Sequence, residues 1–354
     1  MGNDRTDLWR DRVRAYFERE GFVSRTEEEV AAIVPVDLRH HEFDTFNPSA
    51  PFGARPVRTR EVRAHSDALA PYYELTLSCR FDIEVLALTW LATHIEASRP
   101  QLVVDAGCGT GLALGFLAEA FPKVGFGAYD CSPLMAEICR ARIERLGVQN
   151  VRGPYVAAHR ERKPWLRRGT ADLVVTKCAF DASHIAVIDF DAAPSPSLAR
   201  EHFYGADPVA RHWRMTLRSL AALLKFGGRY VSISPESPGI QDIIMGLAWR
   251  AGLEDEGVDG IAEMPPPRVE ERAEDVAIMS LSGFTNWIQS YTNPLFTSET
   301  GIDPGDPRWV PAVEEARLLI EEINEYLARH WHRSRHRIVA TQFRKRLQPP
   351  LLTT

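Results

Sequence analysis

The sequence predicts an α/β fold, a Rossmann-like, doubly wound, mostly parallel sheet with extra helical material around it. Three observations predict this. Short apolar strand-like runs alternate with helical stretches between Leu102 and Ser234, and strands alternating with helices favour a parallel sheet covered on both faces. A glycine-dense turn follows the first of those runs. With 354 residues, 45% hydrophobic and 25% charged, the chain can bury a sizeable core.

The N-terminal region reads as helical over residues 1–34, where Trp9, Val13, Tyr16 and Phe17 fall along one face. Residues 35–60, rich in proline, arginine and histidine, read as a loop. A helix is expected over Ser66–Ala97, with Pro71 obscuring its start. Leu102–Ala106 is a short apolar strand, and Gly111–Phe121 a helix ending before Pro122. Val124–Asp130 is the second strand. Ser132–Leu146 is a helix with a serine N-cap, proline at its first position and Gly147 just past its end. Val148–Val156 is a weaker third strand, and "DLVVTKCAF" (Asp172–Phe180) a strong fourth. His202–Lys225 is helical up to a Gly-Gly pair, and Gly228–Ser234 is the fifth strand. Beyond Pro235 the pattern becomes irregular, with helical stretches at 240–251, 283–291 and 311–330. The terminal "HRIVATQFRKR" alternates like an exposed strand and is expected at the sheet edge.

Bulk properties exclude several classes. The formal net charge of −6 argues against a nucleic-acid surface, which is normally basic. No apolar run approaches the ~18 residues of a membrane helix, and the charged start "MGNDRTDLWRDRVR" does not read as a secretory leader. Five cysteines, none in a C-x-x-C pair, suggest neither a disulfide framework nor a zinc site. A cytoplasmic location without metal, nucleic acid or membrane partner is the expectation, and a homodimer is compatible with it. "HHEFD" (His40–Asp44) and the histidines of "RHWHRSRH" (Arg329–His336) lack spaced partners. They read as a loop and a cationic helix end.

The turn in "LVVDAGCGTG" (Leu102–Gly111) carries the chemistry. Glycines let a strand turn sharply into a helix, and the bare N–H groups at a helix start attract an anion. Gly107, Gly109 and Gly111 give G-x-G-x-G, neither the dinucleotide G-x-G-x-x-G nor a P-loop, which requires a following lysine.

The pattern D-A-G-C-G-T-G resembles the first motif of the class I S-adenosylmethionine-dependent methyltransferases, small-molecule type with a helical lid. The resemblance covers roughly 102–235 and the terminal strand. It implies that Asp105, Gly107, Cys108, Gly109 and Gly111 hold the amino-acid tail of S-adenosyl-L-methionine. It also implies that Asp130, closing the second strand, accepts the ribose hydroxyls. Leu134 and Met135 stand where relatives flank the adenine, beside Cys131, and Lys177, within the fourth strand, is a further cofactor-binding candidate. The acid or amide that the family commonly shows after the third strand is missing: "NVRGPYVAAHRERKPW" holds no acid before Glu161. Tyr155 or a backbone group is expected to serve the adenine.

Methyl transfer from a sulfonium chiefly requires placing a nucleophile about 3 Å from the methyl group and excluding water. In a doubly wound sheet the acceptor lies beyond the carboxyl ends of the strands. After the fourth strand, His184 is the candidate base, because imidazole titrates near neutrality, and Asp181 either assists or caps a helix. Tyr72 and Tyr73 are candidates to contact cofactor or acceptor. Phe284, Trp287 and Tyr291 share one helical stripe with Ile288 and are candidate walls of an acceptor pocket, with plain core packing as the alternative. The expected organisation is a helical segment and lid at 1–100, a cofactor-binding core at 101–236, a helical insertion and substrate lid at 237–332, and a terminal core strand and tail at 333–354. The expected reaction is methyl transfer to a small organic acceptor, a specialised metabolite, with O-methylation favoured. A peptide or protein acceptor, a non-catalytic scaffold, and a cyclase using the sulfonium as a fixed cation remain as alternatives.

Overall fold

The computed structural model describes residues 3–35, 59–159, 161, 166–177, 208–235, 240–263 and 337–346, with scattered positions between 307 and 325. The N-terminal elements are α1 (Asn3–Arg19), α2 (Glu27–Ala31), α3 (Thr59–Leu69), a 3-10 turn (Ala70–Tyr72), α4 (Tyr73–Ser78) and α5 (Phe81–Ser98). The helix expected over Ser66–Ala97 is thus three helices. Pro71, lacking an N–H and fixing φ, sits in the 3-10 turn that separates α3 from α4.

Strand and helix then alternate: β1 (Leu102–Ala106), α6 (Leu112–Ala120), β2 (Gly125–Asp130), α7 (Pro133–Leu146), β3 (Val151–Val156), β4 (Ala171–Lys177), α8 (Pro208–Leu223), β5 (Leu224–Pro235), α9 (Ile240–Arg250), β6 (Leu253–Glu263) and β7 (Arg337–Lys345). The seven strands lie in the order β3-β2-β1-β4-β5-β7-β6. The first five are parallel, and β7 runs antiparallel to both β5 and β6.

Two differences from the sequence expectation concern this far side. The terminal strand β7 is interior, and β6 occupies the edge. β6 lies in the stretch read as irregular, because "LEDEGVDGIAE" has no apolar alternation: its side chains are mostly exposed and acidic. Charged residues and a bulge at Gly257, where φ is +123°, suit an edge strand that must not recruit another strand. Glu256 on β6 binds the Arg229 Nε at 2.8 Å and pairs with Arg344, so neighbouring strands neutralise part of its charge.

Each sheet face carries its own core, because successive strand residues point to opposite sides. On one face Val103, Phe126, Val175 and Ile233 meet α1, α5 and α6. On the other, Val104, Tyr129, Val174 and Tyr230 meet α8 and α9. Helix α1 is built into the first core: Val13 and Phe17 are buried, and the Trp9 ring lies 5.1 Å from Phe121 and 6.2 Å from Phe116. Fully burying such a side chain stabilises the fold by about 1.5–3 kcal/mol. Among the described residues no helix is long and apolar enough to cross a membrane.

Candidate functional site

The turn between β1 and α6 is held from below by β2. The N–H groups of Gly107 and Cys108 both donate to the Tyr129 carbonyl, at 2.9 and 3.1 Å, and the Gly111 N–H donates to the Cys108 carbonyl at 3.0 Å. Gly111 has φ +78°, and a Cβ there would stand 2.4 Å from the Cys139 sulfur on α7. Only glycine fits both the backbone conformation and the space. At Gly109, φ +53°, a Cβ would come within 3.0 Å of the Tyr73 ring, so α4 lies directly over the turn.

Asp130 ends β2 and ties the turn to the next helix. Its two carboxylate oxygens accept the Gly109 N–H and the Ser132 N–H, each at 2.9 Å. Burial pushes its carboxyl up while those amides pull it down, and the net direction is up. The Cys131 thiol and N–H add to that downward pull, so Asp130 is held by the β2–α7 connection as well as by the turn. The start of α7 is fixed by the Ser132 hydroxyl, which accepts the Met135 N–H at 3.0 Å and donates to Asp67 on α3 at 2.5 Å.

A cleft of about 780 Å³, counted with its space open to solvent, opens at the carboxyl ends of β1 and β4. Asp105, Gly107, Cys108 and Thr110 line it, with Tyr73, Glu84 and Lys177 across from them, and its deeper walls are apolar. Burial drives the Asp105 carboxyl up to about 7 against the opposing pull of Lys177. The Lys177 ammonium is itself paired with Glu84 on α5. One cation and two acids beside bare backbone therefore face a mostly apolar cleft, an arrangement matched to a ligand carrying both an ammonium and a carboxylate.

Of the residues singled out in the sequence, the structure brings Asp105, Gly107, Cys108, Tyr73 and Lys177 to this cleft. Gly109, Gly111 and Asp130 shape the turn from behind. Met135 is buried under Leu69 and Ala70, with Tyr72, Tyr73 and Leu134 packed around it. Tyr155 pairs with Tyr129 across β2 and β3 and packs against the α8-side core. Cys131 offers its carbonyl to Arg63, and its sulfur lies 4.0 Å from the Ser66 hydroxyl. Cys79, Cys108, Cys131 and Cys139 are free thiols, and the contact with the Cys139 thiol, together with burial, holds the Cys108 thiol well above its ordinary value. His184, Asp181, Phe284, Trp287 and Tyr291 lie outside the described residues. Among the described residues no cluster of three or more His, Cys, Asp or Glu could hold a metal.

Several residues of the site carry no signal in the sequence. Arg142, midway along α7, is almost fully enclosed and binds Glu20, Glu74 and the Thr110 carbonyl. Arg63 on α3 places one nitrogen 2.8 Å from both oxygens of Glu161, whose carboxylate also accepts the Ala158 N–H at 2.9 Å. Glu161 is thus drawn back to the end of β3, where the motif pattern lacks an acid. His159 sits behind the turn: its Nδ1 lies 3.1 Å from the Tyr129 hydroxyl, and its ring is 3.7 Å from the Cβ position of Gly107. A lone Arg, Glu or His inside a helix or loop is ordinary, and only the fold brings these together.

Comparison with known proteins places a methyltransferase domain family model on residues 103–193. Trans-aconitate 2-methyltransferase of Rhodococcus jostii is 35% identical over 89 residues, covering 25% of this chain and 31% of the relative. The enzyme of the same name from Methylobacterium radiotolerans is 38% identical over 56 residues, 16% of this chain and 22% of the relative. The chain therefore aligns with less than a third of either curated relative. Among solved structures, geranyl diphosphate methyltransferase in complex with its methyl donor aligns over 77% of this chain and 90% of its own, at 15% identity and a TM-score of 0.40. A methyltransferase from Aquifex aeolicus aligns over 46% and 76%, at 17% identity and a TM-score of 0.32.

Proposed function

We propose that this chain, whose residues 103–193 match a methyltransferase domain family, is a class I S-adenosylmethionine-dependent methyltransferase that transfers a methyl group from S-adenosyl-L-methionine to an oxygen of a small organic acceptor. The observation that carries the reading is the glycine turn opening onto a cleft that holds Asp105, Lys177 and Glu84 together. The turn's backbone and these charges fit the zwitterionic tail of the cofactor, and Asp130, bound to the turn through the Gly109 N–H, is the proposed acceptor for the ribose hydroxyls. When bound, the cofactor supplies a methyl group activated by a sulfonium.

The protein's part is placement. The turn and Asp105 orient the tail, and Tyr73 covers the turn. Helix α3 reaches the ends of β2 and β3 through Arg63, which binds the Cys131 carbonyl and Glu161, and α4 lies over the turn after β1. An in-line displacement then needs only an acceptor oxygen aligned with the methyl group. His184 is the proposed base for an acceptor that arrives protonated, and Phe284, Trp287 and Tyr291 are the proposed walls of the acceptor pocket. The curated relatives are named for trans-aconitate, a small carboxylic acid. It is the first acceptor to test, since an ionised carboxylate needs no base.

The test supplies methyl-labelled S-adenosyl-L-methionine with trans-aconitate, a panel of small phenols and carboxylic acids, and a peptide library. The expected result is S-adenosylhomocysteine formed in step with a labelled small molecule. Label appearing only in peptide would shift the acceptor class, and no S-adenosylhomocysteine with any acceptor would overturn the reading. With an acceptor that arrives protonated, such as a phenol, replacing His184 by Ala should lower kcat and spare cofactor affinity, and unchanged turnover with that acceptor removes it as the base.

A further inference from the structure

Arg142 places four of its five N–H donors on partners inside the protein. Its Nη1 and Nη2 form a two-pronged pair with Glu74, at 2.6 and 3.0 Å. Its Nε donates to Glu20 at the end of α1, at 2.9 Å, and Nη1 also donates to the Thr110 carbonyl at 2.8 Å. The Thr110 hydroxyl closes the ring by donating to Glu74 at 2.5 Å. The Arg142 side chain is 9% exposed and that of Glu20 is 0% exposed. Four separate segments, the end of α1, the start of α4, the middle of α7 and the glycine turn, therefore meet at one guanidinium.

Glu74 is the neighbour of Tyr73, and both stand in the first turn of α4. When Glu74 is held by Arg142, the Tyr73 ring is carried over Gly109, whose own N–H is bound by Asp130. None of this needs Arg142 or Glu74 to reach a ligand, and neither belongs to the wall formed by Asp105, Lys177 and Glu84. We propose that Glu74 and Arg142 are positioning residues for the cofactor: they hold Tyr73 closed over the glycine turn and thereby set the affinity of the crevice. The inference rests on the cofactor reading of the preceding section.

A bidentate guanidinium–carboxylate pair fixes orientation as well as distance, and small displacements of groups around a bound ligand can cost an order of magnitude or more. The test is a double-mutant cycle read by calorimetric titration of S-adenosyl-L-methionine into the full chain. Glu74→Gln keeps the shape of the side chain and leaves Arg142 bound to Glu20 and to Thr110. Its affinity should fall about tenfold, as should that of Tyr73→Ala. The double variant should be no weaker than either single variant, because both changes remove the same placement. A merely structural Glu74 would lower the melting temperature and leave the Tyr73→Ala penalty intact, so the two effects would add; that outcome overturns the proposal. Should Glu74→Gln fail to fold, Arg142→Lys keeps a cation but loses the two-pronged geometry. Its cycle with Tyr73→Ala should show the same lack of additivity, and additive effects there would again overturn it. If the parent chain binds no cofactor, the methyltransferase reading falls, and the positioning role with it. If the parent binds and the cycle is additive, only the positioning role falls.

Discussion

The N-terminal segment crosses the crevice with one arginine–glutamate pair at each end, and the two pairs differ in burial. At the glycine-turn end, Glu74 meets a guanidinium that is 9% exposed and shared with the fully buried Glu20 carboxylate. At the β3 end, Arg63 and Glu161 have side chains 33% and 42% exposed, and one arginine nitrogen serves both oxygens. The chemistry is the same, but the surroundings reverse the consequences. Water can replace either partner of the exposed pair, whereas removing Arg142 leaves Glu74, 26% exposed, with only the Thr110 hydroxyl, and leaves the enclosed Glu20 side chain to Arg145. The segment is therefore anchored at the turn and only clipped at the β3 end.

The largest expected effect tests the anchor. Arg142→Met takes the cation from Glu74 and one of two arginines from Glu20, which keeps Arg145, and should cost about 3 kcal/mol of stability, at the low end for breaking a buried pair, measured by chemical denaturation. An equal loss from Arg63→Met would erase the difference between the two ends. Next comes the residue between them. Asp130→Ala should weaken binding of S-adenosyl-L-methionine by about 1–3 kcal/mol, through lost charged hydrogen bonds. Unchanged affinity would mean that the acid pins the turn and touches no sugar.

A third effect is a pH dependence at the anchored end. Burial raises the Asp105 carboxyl to about 7. Below that pH the group is mostly protonated, so binding a ligand ammonium beside it must displace a proton. Affinity for S-adenosyl-L-methionine should therefore rise from pH 6 to pH 8, by up to about tenfold per unit below the midpoint, and level off above it. Asp105→Asn should flatten the profile, and a rise in affinity on acidification would contradict the assignment. The smallest effect belongs to the clip. Arg63→Gln should change stability by about 0–1 kcal/mol, with the difference shrinking as salt is added.

The same contrast explains what the sequence could disclose. The strand–turn–helix around Gly107–Gly111 and the acid closing β2 at Asp130 were legible because their geometry depends on local spacing. So was α7, whose Ser132 cap, first-turn proline and terminal Gly147 all behave as the sequence implies. β6 was not legible, because an acidic edge strand hides the alternation that marks a half-buried one. The interior place of β7 followed from that omission. Arg142, Glu74 and Arg63 were silent for a different reason: a charged residue in a helix is normally solvated, and only tertiary packing brings residues 20, 74, 110 and 142 to one point. Tyr73 was legible as an aromatic ahead of the core, but its place over Gly109 required the helix break at Pro71.

The most direct measurement is calorimetric titration of the intact chain with S-adenosyl-L-methionine, alongside the Asp130→Ala variant and a pyrophosphate-containing dinucleotide. One molecule of S-adenosyl-L-methionine should bind per chain, with affinity clearly reduced in the variant and no heat from the dinucleotide. Absence of binding by the parent chain, or preference for the dinucleotide, would contradict the account at its root.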